Sequence, residues 1–457
     1  MMSERPQRHF VRIGAGSGFA GDRIEPAIEL VERGELDFLV FECLAERTIA
    51  LAQERLQADP ADGFDPMLIE RMRRVLPAAA AQGVRIITNA GAANPIAAAH
   101  AVARVARELG LPDLRIGAVT GDDVLAVLAD SDPPLIDGAG TVATLRDRMV
   151  SANAYLGADG IVAALDSGAD IVITGRVGDP SLFLAPMIHR FGWSPDDWDR
   201  IGRGTLVGHL LECAGQLTGG YFADPGRKDV AGLARLGFPF ADVDANGDAL
   251  LGKVAGSGGL LSVATCTEQL LYEILDPAAY LQADVTADFR RVRFEQVATD
   301  QVAVSGGAGR TRPASLKVSI GYDDGFIGEG QISYAGPGAV ARARLALDIV
   351  RERLALTGAD IREIRCDVIG LDAVTRTADY HADGGGEVRA RIVGRSPSAA
   401  GARAIGAEVE ALYTNGPFGG GGVSRGIRRV VAIASCLIPR DATAAKVHIV
   451  EAGDAAA

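Results

Sequence analysis

Thr174-Gly175-Arg176-Val177-Gly178-Asp179-Pro180 closes an apolar run and holds the most pointed chemistry in the 457-residue chain. Arg176 is a permanent cation whose planar fork can grip a carboxylate or phosphate through two parallel hydrogen bonds. Asp179, three residues on, is a candidate proton acceptor. The two glycines open the backbone around both. The alternative is that Arg176 and Asp179 pair with each other and pin the loop.

Six further segments carry residue types of the same kind. Gly14-Ala15-Gly16-Ser17-Gly18 leads into a helical stretch, so Gly14, Gly16, Ser17 and Gly18 could cradle an anion with backbone N–H groups. Its spacing is not the G-x-G-x-x-G of dinucleotide sites, and a structural turn, with Asp22 capping the helix, is the competing reading. Phe41-Glu42-Cys43-Leu44-Ala45-Glu46-Arg47 places two carboxylates near a strand end. Glu42 could serve as a general base if burial raised its pKa; otherwise these residues form an ion-pair and capping cluster. Thr88-Asn89-Ala90-Gly91-Ala92-Ala93-Asn94-Pro95 offers Asn89 and Asn94 as a floor for a carbonyl or carboxylate, or as turn residues. His209 and Glu212 share one helical face with Cys213 and Gln216, which suits proton transfer near neutrality or a packed, satisfied histidine. Asp224 and Lys253 flank a Gly/Asp/Pro-rich stretch and are a candidate base and anion contact. Finally, Asn415-Gly416-Pro417-Phe418-Gly419-Gly420-Gly421-Gly422 is a glycine run fit for a lid or a phosphate loop.

Several chemistries lack their usual signatures, and a missing P-loop lowers a nucleotide-binding reading without excluding it. There is no G-x-S-x-G elbow, no P-loop and no H-E-x-x-H. The five cysteines are scattered, without Cys-x-x-Cys pairs, which fits reduced thiols and no zinc site. His9, His100, His189, His381 and His448 stand isolated. The 46 basic and 59 acidic residues give a net charge of −13, a field that repels nucleic acid and anionic membranes. No apolar run is long enough to cross a membrane, and the N-terminus lacks a signal-peptide pattern. A cytoplasmic location is therefore expected.

The elements that must position these residues follow from periodicity. Over the first ~220 residues, short β-rich runs (9–14, 37–41, 84–88, 114–119 and 170–174) alternate with Ala/Leu-rich helical stretches (23–32, 46–57, 65–81, 95–109 and 158–167). Continuous apolar strands such as Phe38-Leu39-Val40-Phe41 are those of a sheet buried on both faces. The expectation is an α/β protein: a three-layer, mostly parallel sheet with helices on both faces in residues 1–225, then an α+β domain in 226–457. Asp323-Asp324-Gly325 signals a hairpin turn within Lys317–Tyr334, and Ala339–Leu356 a helix.

Taken together, Gly14–Arg23, Phe41–Thr48, Thr88–Pro95, Ile173–Pro186, His209–Pro225, the Glu268–Tyr280 stretch and Thr414–Gly422 resemble, in order, the AtuA family of acyclic terpene utilisation proteins. The resemblance implies a catabolic enzyme of acyclic terpene or branched acyl-CoA degradation, a hydratase or carbon–carbon lyase acting on an acyl-CoA or a small anionic hydroxy acid. A CoA thioester would enter as part of the substrate; the cofactor is otherwise left open, and the residues suggest no metal site. Many relatives carry a further small C-terminal domain, so a separate partner chain supplying it is an expectation, as is a homo-oligomer. The residues expected to carry the reaction are Asp179, Glu42, His209 and Glu212. The alternatives are a non-catalytic scaffold or regulatory subunit and a nucleotide-binding, kinase-like enzyme.

Overall fold

The computed structural model describes residues 8–374 and 386–454; His381 and the terminal alanines lie outside them. Two compact units are present, one of residues up to Gly321 together with those from Ile433 onward, the other Tyr322–Ala432.

The larger unit begins as the expected alternation: β1 (Phe10–Ser17), α1 (Glu25–Arg33), β2 (Phe38–Phe41), α2 (Glu46–Ala58), α3 (Leu68–Gln82), β3 (Arg85–Thr88), α4 (Pro95–Glu108), β4 (Arg115–Thr120), α5 (Leu125–Ala129), β5 (Met149–Ala154), α6 (Asp159–Asp166), β6 (Ile171–Thr174), α7 (Asp179–Phe191) and α8 (Trp198–Leu211). Five strands run parallel in the order β1-β2-β3-β6-β4. From β1 to β4 the chain steps in one direction, and right-handed crossovers then put α1, α3 and α4 on one face, where they pack side by side. β6 is inserted backwards between β3 and β4, so α6, α7 and α8 fall on the opposite face. The reversal makes the β3/β6 boundary a topological switch point, where ligands bind in open α/β sheets.

Boundaries obey local chemistry. Asn94 caps α4, its side chain accepting from the Ala97 N–H, with Pro95 in the first turn. Gly83 ends α3 in the left-handed conformation, φ +65°. Replacing Asn94 by Ala removes this cap and the amide's bonds to the Pro60 and Asp62 carbonyls. The expected cost is about 1–2 kcal/mol, read from urea unfolding midpoints; an unchanged midpoint contradicts it.

The domain boundary expected near residue 225 does not separate the compact units. Pro239–Asp244 (β7) returns to pair antiparallel with β1, followed by Ala249–Lys253 (β8) and the strands Gln301–Ser305 and Arg293–Ala298. Lys446–Glu451 closes the other edge against β4, giving ten strands in all. The Gly/Asp/Pro-rich texture marks a surface excursion between strands of one sheet, with Gly219, Gly226 and Gly232 at positive φ.

In the smaller unit, strands Glu363–Ile369 and Glu387–Ser396 join a sheet with the long strands Ser315–Ala335 and Gly421–Pro439. Helices Ala339–Leu356 and Ala399–Asn415 share a core with Ile332, Tyr334, Val350, Ile392, Ile405 and Val409. The hairpin expected at Asp323-Asp324-Gly325 is absent: Ser315–Ala335 is one strand. A two-residue type I′ turn needs positive φ at both central residues, and here Gly325 takes φ +78° while Asp324 does not.

Candidate functional site

The carboxyl ends of β1, β2 and β6 and the end of α8 converge on one cavity of about 1080 Å³ in the larger unit. Gly18, Glu42, Arg176, Asp179 and Glu212 all line it. So do Glu46, Tyr155 and Lys317.

Arg176 lies at the centre and is 2% exposed. One Nη donates to the Leu44 carbonyl, and Nη2 lies 2.9 Å from Asp179 Oδ1. The guanidinium stacks 4.1 Å from the centre of the Tyr155 ring. Its backbone N–H donates to Asp122 Oδ2 at 2.9 Å, as does Asn153 Nδ2. Gly175 is required here, since a Cβ would stand 2.4 Å from Asp122 Oδ1. Burial works against the guanidinium charge, but Asp179, Tyr155 and Glu42 outweigh it and keep Arg176 protonated. Its Nε alone has no partner.

Glu42 follows β2. Its Oε1 accepts from the Leu44 N–H at 2.7 Å and from Asn89 Nδ2 at 3.0 Å, while Asn89 Oδ1 accepts from the Cys43 N–H at 2.7 Å. Burial, and then the neighbouring Asp179, push the Glu42 carboxyl up to about 8, against the pull of Asn89, Leu44 and Arg176. Glu46 goes the other way. Burial raises it, but the Tyr155 hydroxyl, its own N–H, Arg176 and Lys317 bring it down to about 2. Lys317 Nζ sits 3.3 Å from Glu46 Oε1, and the Lys317 carbonyl accepts from the Tyr155 N–H at 2.9 Å. Glu212 is raised to about 7, mainly by burial and despite His209. Neutral, ionised and titrating carboxyls thus share one wall.

A sequence profile described as acyclic terpene utilisation family protein AtuA matches residues 11–449. The chain belongs to the AtuA family. No curated protein and no solved structure matches it. Membership fits a catabolic role in acyclic terpene utilisation.

In this AtuA-family chain the glycine loop after β1 does not present free N–H groups to an anion. The Gly18 N–H donates to Asp22 Oδ2 at 2.8 Å, and a Cβ on Gly18 would stand 2.5 Å from the Cys213 carbonyl carbon. Gly14 and Gly16 lie inside β1, where a Cβ would strike Leu36 and the Phe41 ring. Ser17 is buried, its hydroxyl donating to the Glu42 carbonyl at 2.7 Å. These residues hold the site together by packing. Asn89 likewise anchors Glu42 and Cys43.

Five expected residues sit elsewhere. Lys253 is bound to Asp300 at 3.0 Å and to the Ser257 carbonyl. Asp224 is an exposed turn residue whose backbone pairs with Lys228. Asn415 and Gly419 belong to the smaller unit: Asn415 bonds the Ala411 carbonyl at its helix end, and Gly419 takes φ +74°. Asn94 is the α4 cap. The Ala-Ala-Asn-Pro spacing is a capping signal, and it outweighs the floor that the two amides suggested.

Tyr155, Lys317, Tyr280 and Asp122 were not visible in sequence as site residues. For Asp122 a signal existed, because Thr120-Gly121-Asp122 also follows a parallel strand. Tyr155 arrives from the connection after β5 with no periodic mark, and Lys317 from a strand whose alternation says nothing of the cavity. Among the described residues, no group of three or more His, Cys, Asp or Glu could hold a metal ion, all five cysteines are free, and no helix is long and apolar enough to cross a membrane.

Proposed function

We propose that this protein is a hydratase or lyase of branched acyl thioesters, working by general acid–base catalysis at the Glu42/Arg176/Glu212 cavity. The observation that carries this reading is the divergence of proton affinity on one wall: Glu42 at about 8 holds its proton near neutral pH, while Glu46 at about 2 is ionised. Such pairs mark acid and base assignments.

In the hydration direction, Glu212 takes a proton from water as the water oxygen bonds to the β-carbon of an unsaturated thioester. The π pair moves to the α-carbon and thioester oxygen, and Glu42 delivers its proton to the α-carbon. Glu42 Oε1 already accepts two hydrogen bonds, which leaves Oε2 as the proton-bearing oxygen. The Arg176 guanidinium in the cavity wall supplies the positive charge that stabilises the developing enolate oxygen.

The charge balance favours a thioester over a free hydroxy acid. Asp22, Glu42, Glu46, Asp179, Glu212 and Glu273 line the cavity against two cations, Arg176 and Lys317. Even with Glu42 and Glu212 protonated, a carboxylate substrate would face Asp22, Glu46, Asp179 and Glu273 against those two cations, whereas a thioester carbonyl is neutral. Leu44, Ile136, Leu236, Phe238, Leu316 and Leu437 supply an apolar lining for a branched chain. The volume lies at the upper end of small-molecule sites, which suits an acyl group with the near end of its carrier.

The test is incubation of the purified protein with a branched 2-enoyl-CoA in heavy-oxygen water, followed by mass spectrometry. One labelled oxygen in the acyl product is expected, together with a raised melting temperature on ligand binding. No incorporation and no thermal stabilisation across an acyl-CoA series would overturn the reading.

A further inference from the structure

His209 and Glu212 stand one turn apart at the end of α8, and the imidazole is completely buried. Nε2 faces the Leu270 carbonyl at 3.3 Å. A carbonyl oxygen only accepts, so Nε2 carries a proton in either charge state of the ring. Nδ1 faces Glu212 Oε1 at 2.9 Å. A single proton shared between Nδ1 and Oε1 satisfies both atoms.

The ring cannot turn away from this arrangement. It stacks on Phe289 with centroids 6.0 Å apart and tilts against Tyr280 at 5.4 Å. Gln269 Nε2 donates to the His209 carbonyl at 3.2 Å, which ties α8 to the helix Val263–Leu271. The charged or titratable groups acting on the pair are Glu212 itself, Tyr280, and Asp179 and Glu273, which both oppose ionisation of Glu212. At the other end of the carboxyl group, Glu212 Oε2 is closed to solvent and has no protein partner, although Glu212 is part of the cavity wall.

Resting on the acid–base reading above, we infer that His209 is a positioning residue that never touches substrate and makes Glu212 a two-ended proton relay. At rest the shared proton sits on Glu212 Oε1 and the imidazole is neutral. When water attacks, its O–H bond breaks and an Oε2–H bond forms. In the same step the Oε1–H bond breaks and an Nδ1–H bond forms. Glu212 stays uncharged throughout, and the positive charge appears on an imidazolium held by the Leu270 carbonyl. Nδ1–H then breaks as Oε1–H re-forms, and the Oε2 proton passes to the Glu42 carboxylate, which restores the resting state. In a cavity already crowded with carboxylates, this spares a further buried anion beside Asp179 and Glu273.

Nitrogen NMR on the full chain labelled in histidine tests the relay without any substrate. The resting wild type should show His209 with Nε2 protonated and Nδ1 unprotonated or shared, from about pH 6 to 8. Glu212→Gln places an amide donor opposite Nδ1 and should fix the neutral Nε2–H tautomer, abolishing any titration of that ring. An Nδ1–H tautomer or a full imidazolium in the resting wild type overturns the relay, as does a ring that still titrates in Glu212→Gln. The wild-type spectrum alone decides the matter if the variant fails to fold. Labelled-oxygen incorporation together with a failed NMR signature would leave the reaction standing and remove only the role of His209.

Discussion

Arg176→Ala is expected to destabilise the larger unit by about 3–5 kcal/mol, because it strips the counter-charge from buried carboxyls rather than from a surface pair. The side chain is 2% exposed and contacts the Leu44 carbonyl, Asp179 and the Tyr155 ring together. Its removal leaves the Leu44 carbonyl unpaired and Asp179 without its cation. The carboxyls respond by taking up protons, so the loss should be greater at pH 8 than at pH 5. Arg176→Lys should recover little, because an ammonium cannot reach a carbonyl and a carboxylate with one planar fork while lying flat on a ring. Urea unfolding at the two pH values checks this. A midpoint within experimental error of wild type at pH 8 would mean that the guanidinium is not the electrostatic keystone of the cavity. Ligand binding should also be lost, and the stability measurement has to accompany any binding assay.

Glu42→Gln should divide stability from activity. In the folded protein Glu42 is raised to about 8 from its ordinary 4.5. Its stabilising contribution is therefore fully present below pH 4.5 and is lost as pH rises through 8, because the folded state must give up a proton it holds more tightly than the unfolded chain does. The difference of 3.5 units corresponds to at most roughly 5 kcal/mol. Glu212 at about 7 and Asp122 at about 6 slope the same way. Glu46, lowered to about 2, adds an opposite slope that acts only below pH 4.5. Glutamine keeps an acceptor for the Leu44 N–H and Asn89, and it cannot ionise. The variant should match wild type near pH 5 and exceed it by a few kcal/mol above pH 8, as seen in melting curves across that range. Without the acidic proton, turnover of a branched enoyl thioester should fall by about 10²–10⁴-fold. If the variant follows the wild-type pH profile of stability, Glu42 is not the titrating acid.

The fold was legible where burial dictates sequence. Phe38–Phe41 and Ile171–Thr174 are covered on both faces, so their apolar runs announce themselves, and the residues just after them lie at the site by the rule of parallel sheets. Glu42 and Arg176 follow these strands and line the cavity. The roles of Gly14 and Gly16 were not, because a glycine that admits a neighbour's ring and one that admits a phosphate look alike in sequence. Tyr155 and Lys317 meet through a backbone bond and through the Lys317 ammonium over the Tyr155 ring, contacts spanning more than 160 positions that no local pattern encodes. The compact units do not divide near 225, because composition records solvent exposure, whereas strand pairing between β1 and β7 joins residues over 200 positions apart.

The pairing of Lys446–Glu451 with β4 sets an order of events during synthesis. β4 leaves the ribosome more than 300 residues before its outer neighbour exists, and the whole of Tyr322–Ala432 is made in the interval. Until Lys446–Glu451 has been made, one flank of the nascent sheet therefore presents unpaired amides and carbonyls to the crowded cell. A ribosome stalled anywhere in that stretch would release a chain already primed for aggregation.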